Sequence, residues 1–196
     1  MSAIATHPDR SPVLADLIPG AAARDVLLTL AGTAFIAVAG FIVIPLPFTP
    51  VPLSLATFAV LLTGATLGPL RGTASAGLYL ALGAIGVPLF AGGSFGWAFS
   101  SFGYIVGYVA AAALVGTLAR RRSDRNAWST IGLATLGSLT IYACGVPWLA
   151  GFLGVDLATA LTLGVLPFLI GDALKILAMS ALLPTTWRII DRAGRR

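Results

Sequence analysis

Between Asp25 and Arg71, and again between Arg71 and Arg120, the chain carries no charged side chain. Stretches that long and that uncharged cannot be dissolved in water by their own surface, so hydrocarbon has to be the solvent for most of the molecule. The composition agrees: 58% of the residues are hydrophobic and 10% charged, with a mean hydropathy of +0.96, against roughly a quarter charged in soluble domains. The chain reads as an all-α integral membrane protein. Its 196 residues hold about six transmembrane helices of roughly 20 to 25 residues with short connections, in one compact bundle. No space remains for a soluble ATPase.

The excess of positive charge, +5 at neutral pH, is explained by where it falls. Arg10 and Arg24 precede the first expected span, Arg71 lies between the second and third, Arg120, Arg121, Arg122 and Arg125 between the fourth and fifth, and Arg188, Arg192, Arg195 and Arg196 after the sixth. The connections around 45–52, 87–97 and 145–156 have neither Lys nor Arg. By the positive-inside rule both termini are expected in the cytoplasm. Nucleic acid is therefore not needed as a partner; the bilayer accounts for the charge.

The expected spans are 25–44, 53–67, 73–85, 99–118, 128–149 and 157–183, which makes 1–24 a cytoplasmic tail, 25–187 the bundle and 188–196 a basic tail. Residues 1–20 lack the order of a cleavable signal peptide, and Val13, Leu14, Leu17 and Ile18 are expected at the interface. The run Pro45-Leu-Pro-Phe-Thr-Pro50-Val-Pro52 neither continues a helix nor forms a sheet and should be a stiff external connection. Residues 83–96, Gly-rich and still apolar, fit an ordered loop folded over the outer end of the bundle. Trp97, Trp128, Trp148 and Trp187 fall near expected interfaces, as an aromatic belt would.

One pair of residues speaks to function. Lys175, the only lysine, lies three residues from Asp172 within the last apolar segment. A charged residue at mid-membrane costs about 2.5 to 3.5 kcal/mol on insertion scales, so such residues face a partner or a cavity. The spacing puts both on one helix face. They form either a mutually neutralising structural pair or the polar end of a ligand pocket, with Phe90, Tyr142 and aliphatic walls taking an apolar body. A proton relay would need further Asp, Glu or His in the bundle.

Other motifs exclude more than they assign. Gly92-Gly-Ser94-Phe-Gly96 matches the hydrolase pattern G-x-S-x-G, yet the only histidine, His7, lies in the expected tail, which leaves a Ser94–Lys175 pair as the one catalytic alternative. A single Cys, Cys144, and the absence of Glu remove most metal sites, and no phosphate-loop motif is present. No cofactor is expected. Small residues recur four apart at Gly64, Gly68 and Gly72, at Gly103 and Gly107, and at Thr33 and Ala37, letting helices approach closely.

The segments 44–72, 79–93, Phe102-Gly-Tyr104-Ile-Val-Gly-Tyr108, Tyr142-Ala-Cys-Gly-Val-Pro-Trp-Leu-Ala150 and Gly171-Asp-Ala-Leu-Lys175 together resemble the BioY family of biotin-specific S components of energy-coupling factor (ECF) transporters. The resemblance implies a substrate-binding subunit of a prokaryotic cell membrane without enzymatic activity, which captures biotin from outside and works with a transmembrane T component and cytoplasmic ATPases. It implies that Asp172 and Lys175 contact the ligand, that Phe90, Ala91, Gly92 and Gly93 belong to a lid-like loop over it, and that Thr33 and Ala37 form the nearest match to the family's T-component docking face. Where relatives usually have Gly-Pro before the fourth helix, this chain has Phe99-Ser100-Ser101. That departure predicts an earlier helix start and a narrower rim.

Overall fold

The computed structural model describes residues 12–17 and 22–193. His7, Arg10, Ile18, Arg195 and Arg196, with parts of both expected tails, lie outside the described residues.

Helix α1 spans Ala22–Phe41. The chain then forms a two-residue strand, β1 (Val43–Ile44), antiparallel to β2 (Leu53–Ser54), with Val43 opposite Ser54 and Ile44 opposite Leu53. Sequence reasoning assigned both pieces to helices. The residue before a proline is disfavoured in the α region, so Ile44, preceding Pro45, leaves the helix, and the freed backbone groups pair across the base of the Pro-rich connection. Residues 45–52 themselves stay outside the ladder.

Helix α2, Ala56–Ala84, is two arms joined at Gly68, whose φ of 82° breaks the helix ahead of Pro69. Only glycine adopts that conformation without a Cβ penalty. The arms fold back on each other: a Cβ added at Gly72 would stand 2.8 Å from the Cα of Gly64, whereas in one continuous helix those residues would be about 12 Å apart. Each arm, of about 12 or 16 residues, reaches only about 18 or 24 Å at 1.5 Å per residue, short of a core about 30 Å thick. Accordingly, among the described residues, four stretches, not six, are long and apolar enough by themselves to cross a membrane: Ala22–Phe41, Phe102–Arg120, Ala127–Leu153 and Leu157–Ala193.

Helix α3 (Phe102–Arg120) starts after Phe99-Ser100-Ser101 rather than with it, so the expected early start is not found. Helix α4 (Ala127–Leu153) is capped by the Asn126 side chain, which accepts from the Ser129 N–H at 2.9 Å, and continues through Pro147 to Gly154. The last apolar segment is not one helix. It is divided into α5 (Leu157–Gly164), a 3-10 turn at Leu166–Phe168, and α6 (Leu169–Ala193). Pro167 has no N–H to continue the ladder, and the break places Asp172 in the first turn of α6, where the helix dipole favours an anion.

Small residues set the interior. Gly64 meets the Ala112 backbone, Gly107 meets Ile141, and Gly116 meets Gly68 and Pro69. Thr33 and Ala37 are buried at 6% and 7% exposure, and the Thr33 hydroxyl donates to the Ser75 carbonyl at 3.0 Å. The expected docking residues are therefore turned toward the interior, Thr33 against α2. Large apolar side chains instead point outward, among them Leu27, Val38, Leu139, Ile170, Leu174 and Leu177, as a lipid-facing surface requires.

Charges gather at the end of the bundle that carries the Gly68 elbow. A short 3-10 segment, Leu14–Leu17, is tied down there by Asp16, which pairs with Arg71 at 2.9 Å and Arg120 at 3.3 Å. Trp187 does not join an exposed belt. It is buried, donates its indole N–H to Asp124, and is covered by the Arg125 guanidinium 3.3 Å from its ring centre. Burial pushes the Asp124 carboxyl above the usual carboxylate range, against the opposing influence of Trp187 and Arg125.

Candidate functional site

All four tyrosines of the sequence, Tyr79, Tyr104, Tyr108 and Tyr142, line one cavity of about 260 Å³. Its walls come from the Pro-rich connection and the start of α2 (Pro50 to Thr57), from Ala91, Ser94 and Phe99 to Ser101 of the loop, and from Ile105, Ser138, Ile141 and Phe168. Asp172 and Lys175 supply its charged end.

The fold brings partners to that pair from two other helices. Lys175 Nζ lies 3.2 Å from Asp172 Oδ1 and 2.7 Å from the Thr57 hydroxyl on α2. Tyr142 on α4 donates its hydroxyl to the other carboxylate oxygen, Asp172 Oδ2. Both charged side chains are 13% exposed, and a charge so far from bulk water is tolerable when paired and hydrogen-bonded. Two lone-pair directions of the carboxylate and part of the ammonium remain for a bound molecule.

The loop residues divide. Ala91 lines the cavity. Phe90 does not; it is fully buried beside it, edge-on to Tyr79 at 5.2 Å and tilted against Phe99 at 5.7 Å, with its ring over Gly83. Gly92 and Gly93 are also outside the lining, and serve by their positive φ of 67° and 79°, which lets the loop turn back on itself. The expected apolar wall is therefore provided by the tyrosines and Phe99, with Phe90 as the anchor behind them.

Outer segments are cross-tied over the cavity. The Ser100 hydroxyl donates to the Pro50 carbonyl at 2.9 Å, the Trp148 indole N–H to the Phe99 carbonyl at 3.0 Å, and the Thr49 hydroxyl to the Leu163 carbonyl at 2.7 Å. Phe99-Ser100-Ser101 thus forms rim rather than helix. Ser94 points its hydroxyl at the Ala91 carbonyl, 2.8 Å away, while Lys175 is held by Asp172 and Thr57, so no Ser–Lys pair forms.

Thr57, Tyr104 and Tyr108 were not singled out from sequence as site residues. Thr57 is one hydroxyl among many in apolar helices and has no signal of its own. The tyrosines had one: they lie inside apolar segments instead of at their ends, where a phenol without a membrane-interface role needs a polar partner or a cavity.

A polar-ended, aromatic-walled cavity inside a lipid-exposed helical bundle defines a membrane protein that binds a small amphipathic molecule. Comparison with known proteins narrows this. Residues 10–192 match the family model described as the BioY family. A biotin transporter BioY of Thermotoga maritima is 36% identical over 147 residues, 74% of this chain and 84% of the relative, and a probable biotin transporter BioY of Pyrococcus horikoshii is 42% identical over 129 residues, 64% and 74% of the two chains. A crystal structure of the S-component for biotin from an ECF-type ABC transporter aligns with a TM-score of 0.77 at 28% identity, covering 85% of this chain and 92% of that one. The chain belongs to the BioY family, and is a multi-pass protein of a prokaryotic cell membrane.

Proposed function

We propose that this chain is the substrate-binding S component of a biotin uptake transporter, a transport subunit and not an enzyme. The observation that carries the reading is the Asp172–Lys175 pair, buried at the end of a tyrosine-walled cavity in a chain of this family. Biotin matches it chemically. Its ureido group offers N–H donors to the carboxylate, its ureido carbonyl or distal carboxylate offers acceptors to the ammonium, and its bicycle offers apolar surface to the aromatic walls.

In this reading the bundle crosses the membrane six times, the two arms of α2 counting as separate short crossings and α5 with α6 as one. Both termini and the arginine-bearing elbow face the cytoplasm. The cavity then opens beneath the outer loop, and biotin enters from outside. Energy comes from a T component and separate ATPase subunits, since the sequence has no phosphate-binding loop.

Equilibrium binding of labelled biotin to the detergent-purified chain tests the assignment, with desthiobiotin and an unrelated vitamin as competitors. Saturable binding near one site per chain, displaced by desthiobiotin alone, is the expected result. Displacement by the unrelated vitamin would point to a different substrate, and no binding by a folded chain would return the ion pair to a structural role.

Thr57 is expected to matter through the lysine it holds. Thr57→Val removes the acceptor 2.7 Å from Lys175 Nζ and should weaken biotin binding about tenfold or more, because hydrogen bonds to charged groups contribute roughly 1.5 to 3 kcal/mol. Thr57→Ser should restore most of the affinity. Equal binding by the Val and Ser variants would remove Thr57 from the site.

A further inference from the structure

The four cavity tyrosines are not equivalent. Tyr104 donates to the Gly164 carbonyl at 3.0 Å, and Tyr142 donates to Asp172. Neither Tyr79 nor Tyr108 forms a hydrogen bond among the described residues, although they are only 1% and 5% exposed. Buried phenols ordinarily find a partner. The Tyr79 hydroxyl lies against α1, where a Cβ added at Gly40 would stand 3.1 Å from it. The Tyr108 ring stacks on Tyr79 at 6.3 Å and lines the same cavity as Asp172 and Tyr142.

We infer that Tyr108 is a ligand-contacting, specificity-determining residue whose hydroxyl hydrogen-bonds the ureido end of biotin beside Asp172. The inference rests on the reading of the cavity as a biotin site. The end of the ligand follows from charge: a carboxylate repels the distal carboxylate of biotin and accepts from ureido N–H groups. A phenol beside it can donate to the ureido carbonyl or accept from the second N–H. Asp172 Oδ2 is engaged by Tyr142 and Oδ1 by Lys175, so with the carboxylate taking one ureido N–H and the ammonium free to donate to the ureido carbonyl, the second N–H is left without a partner. Tyr108 supplies that partner. A site built to hydrogen-bond its substrate gains discrimination this way, because a competitor lacking the matching group leaves buried polar atoms unpaired.

The experiment compares the wild-type chain with Tyr108→Phe and Asp172→Asn, using biotin and biotinamide, whose distal carboxylate is replaced. Tyr108→Phe should raise the biotin Kd about tenfold and raise the biotinamide Kd by the same factor. Its ligand-free thermal midpoint should match wild type, since the hydroxyl bonds nothing in the protein. A Kd within twofold of wild type, a penalty that vanishes with biotinamide, or a lowered ligand-free midpoint that accounts for the loss would each overturn the inference. Wild-type affinity in Tyr108→Phe with binding abolished in Asp172→Asn would overturn it alone. Failure of the wild-type chain to bind biotin would overturn it together with the reading beneath it.

Discussion

Asp172→Asn and Lys175→Met, made singly, are each expected to weaken biotin binding by a hundredfold or more while the bundle remains folded. Three polar contacts meet at this pair: the 3.2 Å contact between the two side chains, the 2.7 Å bond from Lys175 to Thr57, and the bond from Tyr142 to Asp172. Removing either charge leaves a polar group of the bound ligand buried and unpaired, which costs about 2 to 5 kcal/mol when one partner of a hydrogen-bonded charged contact is truncated. At about 1.4 kcal/mol per decade the middle of that range is two to three orders of magnitude in affinity. The ligand-free chain has Thr57 and Tyr142 as remaining partners for whichever charge survives, which is why the fold tolerates the change better than binding does. Equilibrium binding to the purified variants, with thermal unfolding in the same detergent, separates the two effects. Near-wild-type affinity in both variants would defeat the assignment of this cavity.

The pair itself was legible in the sequence because a lone lysine in an apolar segment has so few physical explanations. Its surroundings were not. Pro167 announced a possible break, but hydropathy ran smoothly through it, and only the structure shows that the break makes Asp172 a first-turn residue of α6. Phe90 stands behind the cavity lining instead of in it, a difference of layer that apolarity in the sequence cannot reveal. The face of Thr33 and Ala37 posed a related problem: small residues permit close approach without saying whether the neighbour is in the same chain. The elbow at Gly68 was marked by Gly-Pro in the sequence. That both spans are short for a crossing is legible too, in the expected ranges 53–67 and 73–85; what cannot be read there is that the arms fold back on each other with Gly72 against Gly64.

That elbow is where the second large effect is expected. Gly116→Val on α3 should destabilise the chain by about 3 kcal/mol, with more possible where nothing yields, because overpacking that meets backbone has no rotamer to relax into. A Cβ at Gly116 would stand 2.5 Å from the Pro69 nitrogen and 2.6 Å from the Gly68 carbonyl carbon. Both belong to the turn itself, so relief requires α3 to move away from α2. For a domain of this size about 2 to 4 °C of melting temperature accompany each kcal/mol, so a drop of roughly 6 to 12 °C is expected in a thermal melt of the purified protein. A melt superimposable on wild type would show that α3 does not lie against the turn as described. Gly132, inside α4 with open space where its Cβ would be, serves as the contrasting position, and Gly132→Ala should raise the melt by about 1 to 4 °C, since Gly costs about 0.5 to 1 kcal/mol relative to Ala in a helix interior.

The convergence of every phenol on one cavity, with none of the four indoles among its lining residues, gives the chain a built-in optical reporter. Near-ultraviolet absorption of the tyrosines registers events inside the cavity, while the tryptophan band, arising outside it, serves as an internal reference for detergent and scattering. Occupancy can therefore be followed by difference spectroscopy on the unlabelled, unmodified protein.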